Sequence, residues 1–267
     1  MSLFHLVLVA LIQGLTEFLP VSSSGHLILL PALTEFEDQG QMIDIAVHVG
    51  TLFAVMLYFR EDVRFAANGV PRLLRGKVDT QGAWLAMLLI IATVPVLLFG
   101  LFLKLTGLDA YLRSVALIGW TMLVFGLVLY WTDQKGATTK QARQWSMKDA
   151  AIMGLWQAIA LIPGTSRSGA TISGARALGY AREDAAKLAM LMSIPTIIAS
   201  GLLLSFEVIG DANMALARDA GIAAILSFVA ALFALTLMMR LLKSVSFTPY
   251  VIYRVFLGIV LLVYAYS

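Results

Sequence analysis

Long runs of uncharged, apolar residues dominate the hydrophobic pattern of this chain and predict membrane-spanning helices. A helix needs about 20 residues to cross a hydrocarbon core. Two weaker spans are predicted at 45–59 and from Pro249 onward, where Arg254 is expected to snorkel toward the interface. With the four strong runs, the pattern predicts an all-α polytopic membrane protein with six transmembrane helices. The strong runs cover residues 83–103, 114–132, 188–206 and 220–239.

Two other apolar stretches are interrupted near their centres by Pro, Gly and Ser. Residues 1–34 break at 20–25, and residues 150–175 break at 163–169. Each stretch carries one formal charge, which is Glu17 in the first and Arg167 in the second. Irregular backbone at membrane depth must be buried in protein or line a cavity. We therefore predict two re-entrant helical hairpins in addition to the six spans.

The two breaks match each other at a constant offset of 144 residues, and the loops that follow them differ in charge. Loop 33–42 is acidic, whereas loop 176–187 carries Arg176, Arg182 and Lys187. One hairpin is thus expected to enter from outside and the other from the cytoplasm, which predicts an inverted-topology repeat. Its halves are near 1–131 and 132–267, in a single membrane domain over 1–267. The matched pairs are Gln13 with Gln157, Ser22 with Ser166, Ser24 with Ser168, and Gly25 with Gly169.

Lys and Arg concentrate in the loops 60–82, 132–149 and 240–249. Because basic residues accumulate in short cytoplasmic loops, these three are predicted to face the cytoplasm and both termini to face outside. The net charge of +3 therefore reports orientation, and no nucleic-acid partner is expected. Only 13% of residues are charged, about half the fraction of a soluble domain. The absence of cysteine excludes disulfides and thiol nucleophiles.

The break sequences have the features of an anion site. A serine after each proline, Ser22 or Ser166, is positioned to cap the second helix of its hairpin. Helix N-termini with free N–H groups bind phosphates well. Arg167 adds a planar guanidinium that matches phosphate oxygens. The site is therefore expected to hold a strongly negative group.

Glu17 lies one helical turn after Gln13, on the same face. A lone carboxylate at this depth stays charged when a cation holds it, so a divalent metal that bridges Glu17 and a substrate phosphate is predicted. His26, just after the first break, has a pKa suited to acid–base work. His48 is interpreted as a packing residue or as one that forms an interhelical hydrogen bond, and it is left out of the site. Hydroxyls for phosphate contacts or for a nucleophile come from Ser22, Ser23, Ser24, Ser166, Ser168 and Thr171.

The motifs Gln13-x-x-x-Glu17, Pro-Val-Ser-Ser-Ser-Gly-His26 and Pro163-Gly-x-Ser-Arg167-Ser-x-x-Thr171 resemble the signatures of the undecaprenyl-diphosphatase family, also called bacitracin-resistance proteins. The resemblance covers essentially the whole chain. It implies hydrolysis of undecaprenyl diphosphate to the monophosphate and inorganic phosphate in the bacterial inner membrane, which recycles the carrier lipid of peptidoglycan synthesis. It also implies a divalent cation, magnesium or calcium, and an active site that opens to the periplasm.

Carried over by position, the resemblance implies catalytic roles for Glu17, Ser23, His26 and Arg167. Ser23 corresponds to the nucleophilic or phosphate-binding serine, His26 to its acid–base partner, and Arg167 to the diphosphate clamp. Glu17 and Gln13 are the expected metal ligands, and Gln13 removes one carboxylate from the metal shell. The expected phosphate ligands are Ser22, Ser24, Gly164, Ser166, Ser168 and Thr171.

Two readings other than hydrolysis follow from the same residues. Inverted repeats with broken helices are the usual layout of secondary transporters, so a transporter or flippase for an anionic lipid phosphate is the alternative. Glu17 and Arg167 could also serve only to pair the two hairpins. The sequence leaves open whether the nucleophile is a serine or water, and whether the protein forms a homodimer. Its expected partners are a polyprenyl diphosphate and membrane lipids.

Overall fold

The protein folds into helices in a computed structural model, which describes residues 1–34, 36, 38–112, 114–208 and 214–267. Two short 3₁₀ segments, Leu108–Leu112 and Ala142–Gln144, accompany the α-helices. Over the described residues the all-α fold class is confirmed. The helices are α1 Leu3–Thr16, α2 Ser23–Leu33, α3 Gln41–Tyr58, α4 Arg60–Leu73, α5 Gln81–Thr106, α6 Val115–Lys135, α7 Met147–Ile159, α8 Arg167–Ala177, α9 Arg182–Val208, α10 Met214–Leu241 and α11 Thr248–Tyr266.

Six of these helices are long and apolar enough to cross a membrane: α3, α5, α6, α9, α10 and α11. Each coincides with one of the six apolar runs in the sequence, including the two weaker ones. The chain is therefore a multi-pass membrane protein. The prediction of six transmembrane helices is confirmed within the part of the chain that the structure describes.

Helix α4 occupies a segment that the hydrophobic pattern assigns to a loop. It is amphipathic, with Ala66 and Gly69 buried and most of its charged side chains exposed, whereas Asp62 is half-buried. Gly69 lies so close to the start of α5 that a Cβ there would come within 2.2 Å of backbone atoms of Ala83. Beyond the helix, a hydrogen bond from Arg72 lowers the pKa of Asp79 below its usual value. Helix α4 thus lies along the side of the bundle that carries the basic loops.

The helices of the two interrupted stretches pack between the spans. Helix α1 packs against α10, α7 against α5, and α8 against α6 and α9. Glycine permits the closest approaches: a Cβ on Gly14 would lie 2.7 Å from the carbonyl oxygen of Ser227, and one on Gly154 would lie 2.6 Å from that of Ala92. Small residues at such crossings allow two backbones to approach within membrane bundles.

Each interrupted stretch forms a pair of helices whose outer ends lie together. The ring of His5, near the start of α1, stacks on Phe36 after α2, with 4.6 Å between ring centroids. Tyr180, after α8, donates a hydrogen bond of 2.6 Å to Asp149 in the first turn of α7. At the opposite ends the two breaks contact each other, so they are brought together inside the bundle.

The basic loops gather on one face around a buried carboxylate, Asp133, near the end of α6. Arg176 and Arg182 donate to its Oδ1 at 3.1 and 2.7 Å. The backbone N–H of Phe247 donates to its Oδ2 at 3.3 Å. Three segments that the charge pattern assigns to the cytoplasmic side therefore meet at one carboxylate.

Candidate functional site

A cavity of about 140 Å³ lies where the two breaks meet. Its walls include six residues that the sequence analysis singles out, from both halves of the chain. Four other residues complete the lining: His48, Ala160, Ile197 and Ser200. The structure thus joins the following predicted residues in one chamber: Glu17, Ser22, Ser23, Ser24, Ser166 and Arg167.

Ser22 and Ser166 begin the helices that point into this region. Each is the N-cap of an 11-residue helix, and each Oγ accepts from a glycine N–H three residues on, at 3.3 Å from Gly25 and 3.1 Å from Gly169. Both serines have a positive φ, 74° and 71°, and they are the non-glycine residues with positive φ in the described chain. Such backbone costs about 1–3 kcal/mol per residue and occurs mostly at functional sites.

The first helical residues after the caps, Ser23 and Arg167, occupy equivalent positions in the two breaks, and both bind Glu17. Ser23 Oγ donates to Glu17 Oε2 at 2.6 Å. An Arg167 amino group donates to Glu17 Oε1 and forms an ion pair with it. The carboxylate therefore joins the tips of α2 and α8, which are far apart in sequence.

The ion pair of Glu17 and Arg167 is supported by a hydrogen bond from Gln13, and its Arg167 side remains accessible to the cavity. Glu17 is buried, with 5% of its side chain exposed, whereas Arg167 keeps 20% of its side chain exposed. Gln13 Nε2 donates to Glu17 Oε2 at 2.8 Å. Burying a charge is costly unless a partner and hydrogen bonds compensate it. Here the charges of Glu17 and Arg167 compensate each other, and both residues line a cavity that a ligand can enter.

Arg254 lies at the junction of the two breaks, and the expectation that it snorkels is wrong. Its side chain is fully buried at 0% exposure. The guanidinium donates to the carbonyl oxygens of Pro20 at 3.1 Å, Gly164 at 3.0 Å and Thr165 at 2.9 Å. Further bonds reach carbonyls of α6. One side chain of α11 thus fixes the backbone of both breaks, because carbonyls freed from helices satisfy the guanidinium better than the interface would.

His26 lies beside the break but does not line the cavity. Its Nδ1 donates to the carbonyl oxygen of Ser22 at 2.6 Å. Since a neutral imidazole then has its lone pair on Nε2, the hydroxyl of Tyr253 donates to Nε2 at 2.5 Å. The predicted pairing of His26 with Ser23 stays a prediction, because the Ser23 hydroxyl donates to Glu17 instead.

Three of the expected phosphate ligands do not line the cavity, and the hydroxyls of two of them contact backbone. Ser168 Oγ donates to the carbonyl of Leu19 at 2.9 Å and thereby joins the two breaks. Thr171 Oγ1 donates to the carbonyl of Arg167 at 2.8 Å, within its own helix. Gly164 has φ +84°, and a Cβ there would lie 2.2 Å from Thr121 Oγ1. These residues shape the second break, and their role as ligands stays a prediction.

His48 is a cavity residue that sequence reasoning set aside as packing. Its Nδ1 donates to the carbonyl of Asp44 at 2.7 Å, one turn earlier in α3. The signal that could have identified it is its place in the middle of a span. An ionisable residue at membrane depth is a functional candidate by default.

The cavity offers oxygen donors of the kind that magnesium and calcium prefer. These are one carboxylate, Glu17, and several serine hydroxyls. Gln13 lies behind Glu17, and its own Oε1 is buried without a partner among the described residues. The same part of the chain holds no group of three or more His, Asp or Glu side chains arranged for a metal. This donor set fits an ion that also takes phosphate oxygens from a substrate, as magnesium commonly does.

Comparison with known proteins shows which sequences this chain is similar to. The family model described as bacitracin resistance protein BacA matches residues 6–260. An undecaprenyl-diphosphatase of Dinoroseobacter shibae is 70% identical over 267 residues and covers 100% of both chains. That of Roseobacter denitrificans is 71% identical with the same coverage. A more distant undecaprenyl-diphosphatase, of Saccharophagus degradans, is 44% identical over 97% of this chain and 96% of its own.

Proposed function

This chain belongs to the bacitracin resistance protein BacA family, and from that membership we propose that it hydrolyses undecaprenyl diphosphate to undecaprenyl phosphate and inorganic phosphate. The reaction recycles the carrier lipid of peptidoglycan synthesis in the bacterial inner membrane and underlies bacitracin resistance. One observation carries the proposal: Glu17 and Arg167, 150 residues apart in sequence, meet in a cavity that two capped helices approach.

The size of the cavity selects the head group of such a substrate. A volume of 140 Å³ is a few times the share of one liquid water, about 30 Å³. It can accommodate phosphate groups but not a polyprenyl chain. The chain is therefore left among the apolar helix surfaces and the surrounding lipid, while the diphosphate enters between the breaks.

Recognition of the diphosphate follows from the charges that face the cavity. The caps already use the N–H groups of Gly25 and Gly169. The preceding N–H groups, those of residues 23 and 24 in α2 and of residues 167 and 168 in α8, have no partners within their helices and favour anions. Arg167 is engaged by Glu17 before substrate arrives. Phosphate oxygens compete with Glu17 for the guanidinium, which forms two parallel hydrogen bonds with phosphate readily. Ser24 and Ser166 supply further hydroxyls at the cavity wall.

A divalent cation, magnesium or calcium, is proposed as the cofactor, with Glu17 as its carboxylate ligand and Gln13 oriented behind it. Such an ion supplies neutralisation of the developing phosphate charge when it is bound. The oxygen donors around Glu17 support this assignment.

Ser23 or a water molecule in its place attacks the terminal phosphorus. Glu17 is the group in contact with the Ser23 hydroxyl and accepts its proton. The bond between the terminal phosphorus and the bridging oxygen breaks, and undecaprenyl phosphate leaves with that oxygen. If Ser23 attacks, water then hydrolyses the phosphoserine. Either route consumes one water molecule and yields inorganic phosphate, while Arg167 stabilises the charge on the transferred group.

We further propose that the two interrupted stretches are re-entrant hairpins related by inverted topology, with the cavity open to the periplasm and both termini on that side. Two contacts support the opposite entry of the hairpins. The first pair of helices has its outer ends together at His5 and Phe36. The second has its outer ends at Asp149 and Tyr180, near the basic face. Basic loops mark the cytoplasmic side.

The purified protein in detergent tests the proposal directly. With undecaprenyl diphosphate as substrate, we expect release of inorganic phosphate that a chelator stops and added magnesium or calcium restores. If phosphate release continues in the presence of the chelator, the protein is a hydrolase that does not need a divalent metal. The alternative, a transporter for lipid phosphates, predicts no release by folded protein and movement of the intact substrate across a liposome membrane.

A further inference from the structure

A second cavity, of about 300 Å³, lies between α4, the start of α5, the segment that follows α6, and α9. It shares no lining residue with the cavity at the breaks. One part of its wall is polar and includes Asp62, Gln81, Arg143 and Lys187. The rest is aliphatic and aromatic. The cavity therefore suits a ligand with one polar end and one apolar end.

The polar part of this cavity carries one uncompensated positive charge. Lys187 pairs with Asp62 at 2.8 Å, so these two charges cancel. Arg143 is exposed and has no acidic partner among the described residues. An arginine that lines a cavity with free donors favours an anion, and phosphate above all.

Trp145 supplies an independent sign of a missing acceptor. Its side chain lines the cavity and is 97% buried, since 3% remains exposed. The indole Nε1–H has no hydrogen-bond partner in the described structure. Buried N–H groups are almost always satisfied in native proteins, so an orphan requires an explanation. The N–H itself has almost no accessible surface, so an oxygen of a ligand in the cavity would satisfy it only after the indole ring turns toward the cavity.

The position of the cavity indicates where the ligand comes from. At its mouth Trp84 and Phe65 are 39% and 45% exposed. Trp84 lies at the start of span α5, and Phe65 lies on the amphipathic helix α4. Aromatic rings and basic residues at the end of a span mark the level of the lipid head groups. A ligand at that depth can place its phosphate on Arg143 and its chain along the apolar wall.

We propose that this cavity binds the phosphate group of an anionic glycerophospholipid from the leaflet on the basic-loop side. The phosphate accepts hydrogen bonds from Arg143 and, once the indole ring has turned toward the cavity, from Trp145. An acyl chain lies against Phe65, Trp84 and Leu188. The site is separate from the proposed hydrolysis of undecaprenyl diphosphate and does not depend on it.

Native mass spectrometry of the purified chain tests this site with phosphatidylglycerol and phosphatidylcholine as probes. Wild type is expected to retain one phosphatidylglycerol molecule more tightly than phosphatidylcholine. Arg143→Gln should weaken phosphatidylglycerol binding about tenfold, and Trp145→Phe should weaken it severalfold. Lys148→Gln is the matched control, because Lys148 is an exposed basic residue nearby in sequence, in the first turn of α7, that does not line the cavity.

The proposal would be overturned if the variants Arg143→Gln, Trp145→Phe and Lys148→Gln all retained phosphatidylglycerol equally. Arg143 is exposed, so its variant is expected to fold, and unchanged phosphate release from undecaprenyl diphosphate in detergent would show that the active site is intact. If millimolar inorganic phosphate does not displace the bound phosphatidylglycerol, the result supports a lipid ligand. Binding of inorganic phosphate at this cavity without any preference for phosphatidylglycerol would contradict it.

Discussion

Replacement of Glu17 by glutamine is expected to lower kcat for phosphate release by about 10³-fold, the scale of losing a catalytic base or a charge-stabilising group. The amide has nearly the same shape as the carboxylate, so Gln13 and Ser23 keep a partner. It cannot take the proton of Ser23, and it holds a divalent cation poorly. It also leaves Arg167 without its counter-charge. The measurement is the initial rate of phosphate release from undecaprenyl diphosphate at saturating substrate.

Glu183→Gln provides the matched control for this change. Glu183 is an exposed carboxylate in the first turn of α9, and its loss should leave the rate within twofold of wild type. KM of the Glu17 variant should rise far less than kcat falls, because the uncompensated Arg167 still attracts the diphosphate. A Glu17→Gln protein with near wild-type kcat would remove Glu17 from the chemistry and leave it as a structural partner of Arg167.

Replacement of Arg254 by methionine should have the largest effect on the architecture of the site. Three break carbonyls, those of Pro20, Gly164 and Thr165, lose their buried donor. An unsatisfied buried acceptor costs about 1–3 kcal/mol, so we expect a loss of about 3 kcal/mol or more in the free energy of unfolding. Activity should fall by at least tenfold in the protein that still folds, since both breaks lose their common anchor.

The test of Arg254 combines thermal unfolding in detergent with the rate of phosphate release. Arg254→Lys should not restore either property, because an ammonium group cannot reach carbonyls in several directions as the planar guanidinium does. Arg240→Met, at the end of α10, is the control and should behave as wild type. Full activity and stability in Arg254→Met would show that the breaks hold their shape without this side chain.

The six spans follow from the sequence because hydropathy is a local property that the bilayer selects directly. Hydropathy does not identify helix α4. Its apolar residues are confined to one face, so its mean hydropathy resembles that of a loop, and only its contact with the start of α5 reveals it. The caps Ser22 and Ser166 follow from the residues after proline, because capping depends on a few neighbouring atoms.

The surroundings of Arg254 and His48 depend on contacts distant in sequence, which a hydropathy pattern does not contain. Arg254 lies in an apolar run that gives no sign of the three carbonyls it binds, because those belong to residues 20, 164 and 165. His48 joins the cavity through the packing of α3. In the same way, the hydroxyls of Ser168 and Thr171 contact backbone oxygens, and the motif alone does not distinguish that contact from a phosphate contact.

The central claim is that one diphosphate group lies between the two breaks. Photo-crosslinking tests it most directly, with a polyprenyl diphosphate analogue that has a methylene bridge and a photoreactive group on its first isoprene unit. Peptide mapping should place the label within residues 17–26 and 160–168 together, and Arg167→Met should abolish it. Labelling at other helices, unchanged in Arg167→Met, would contradict the claim.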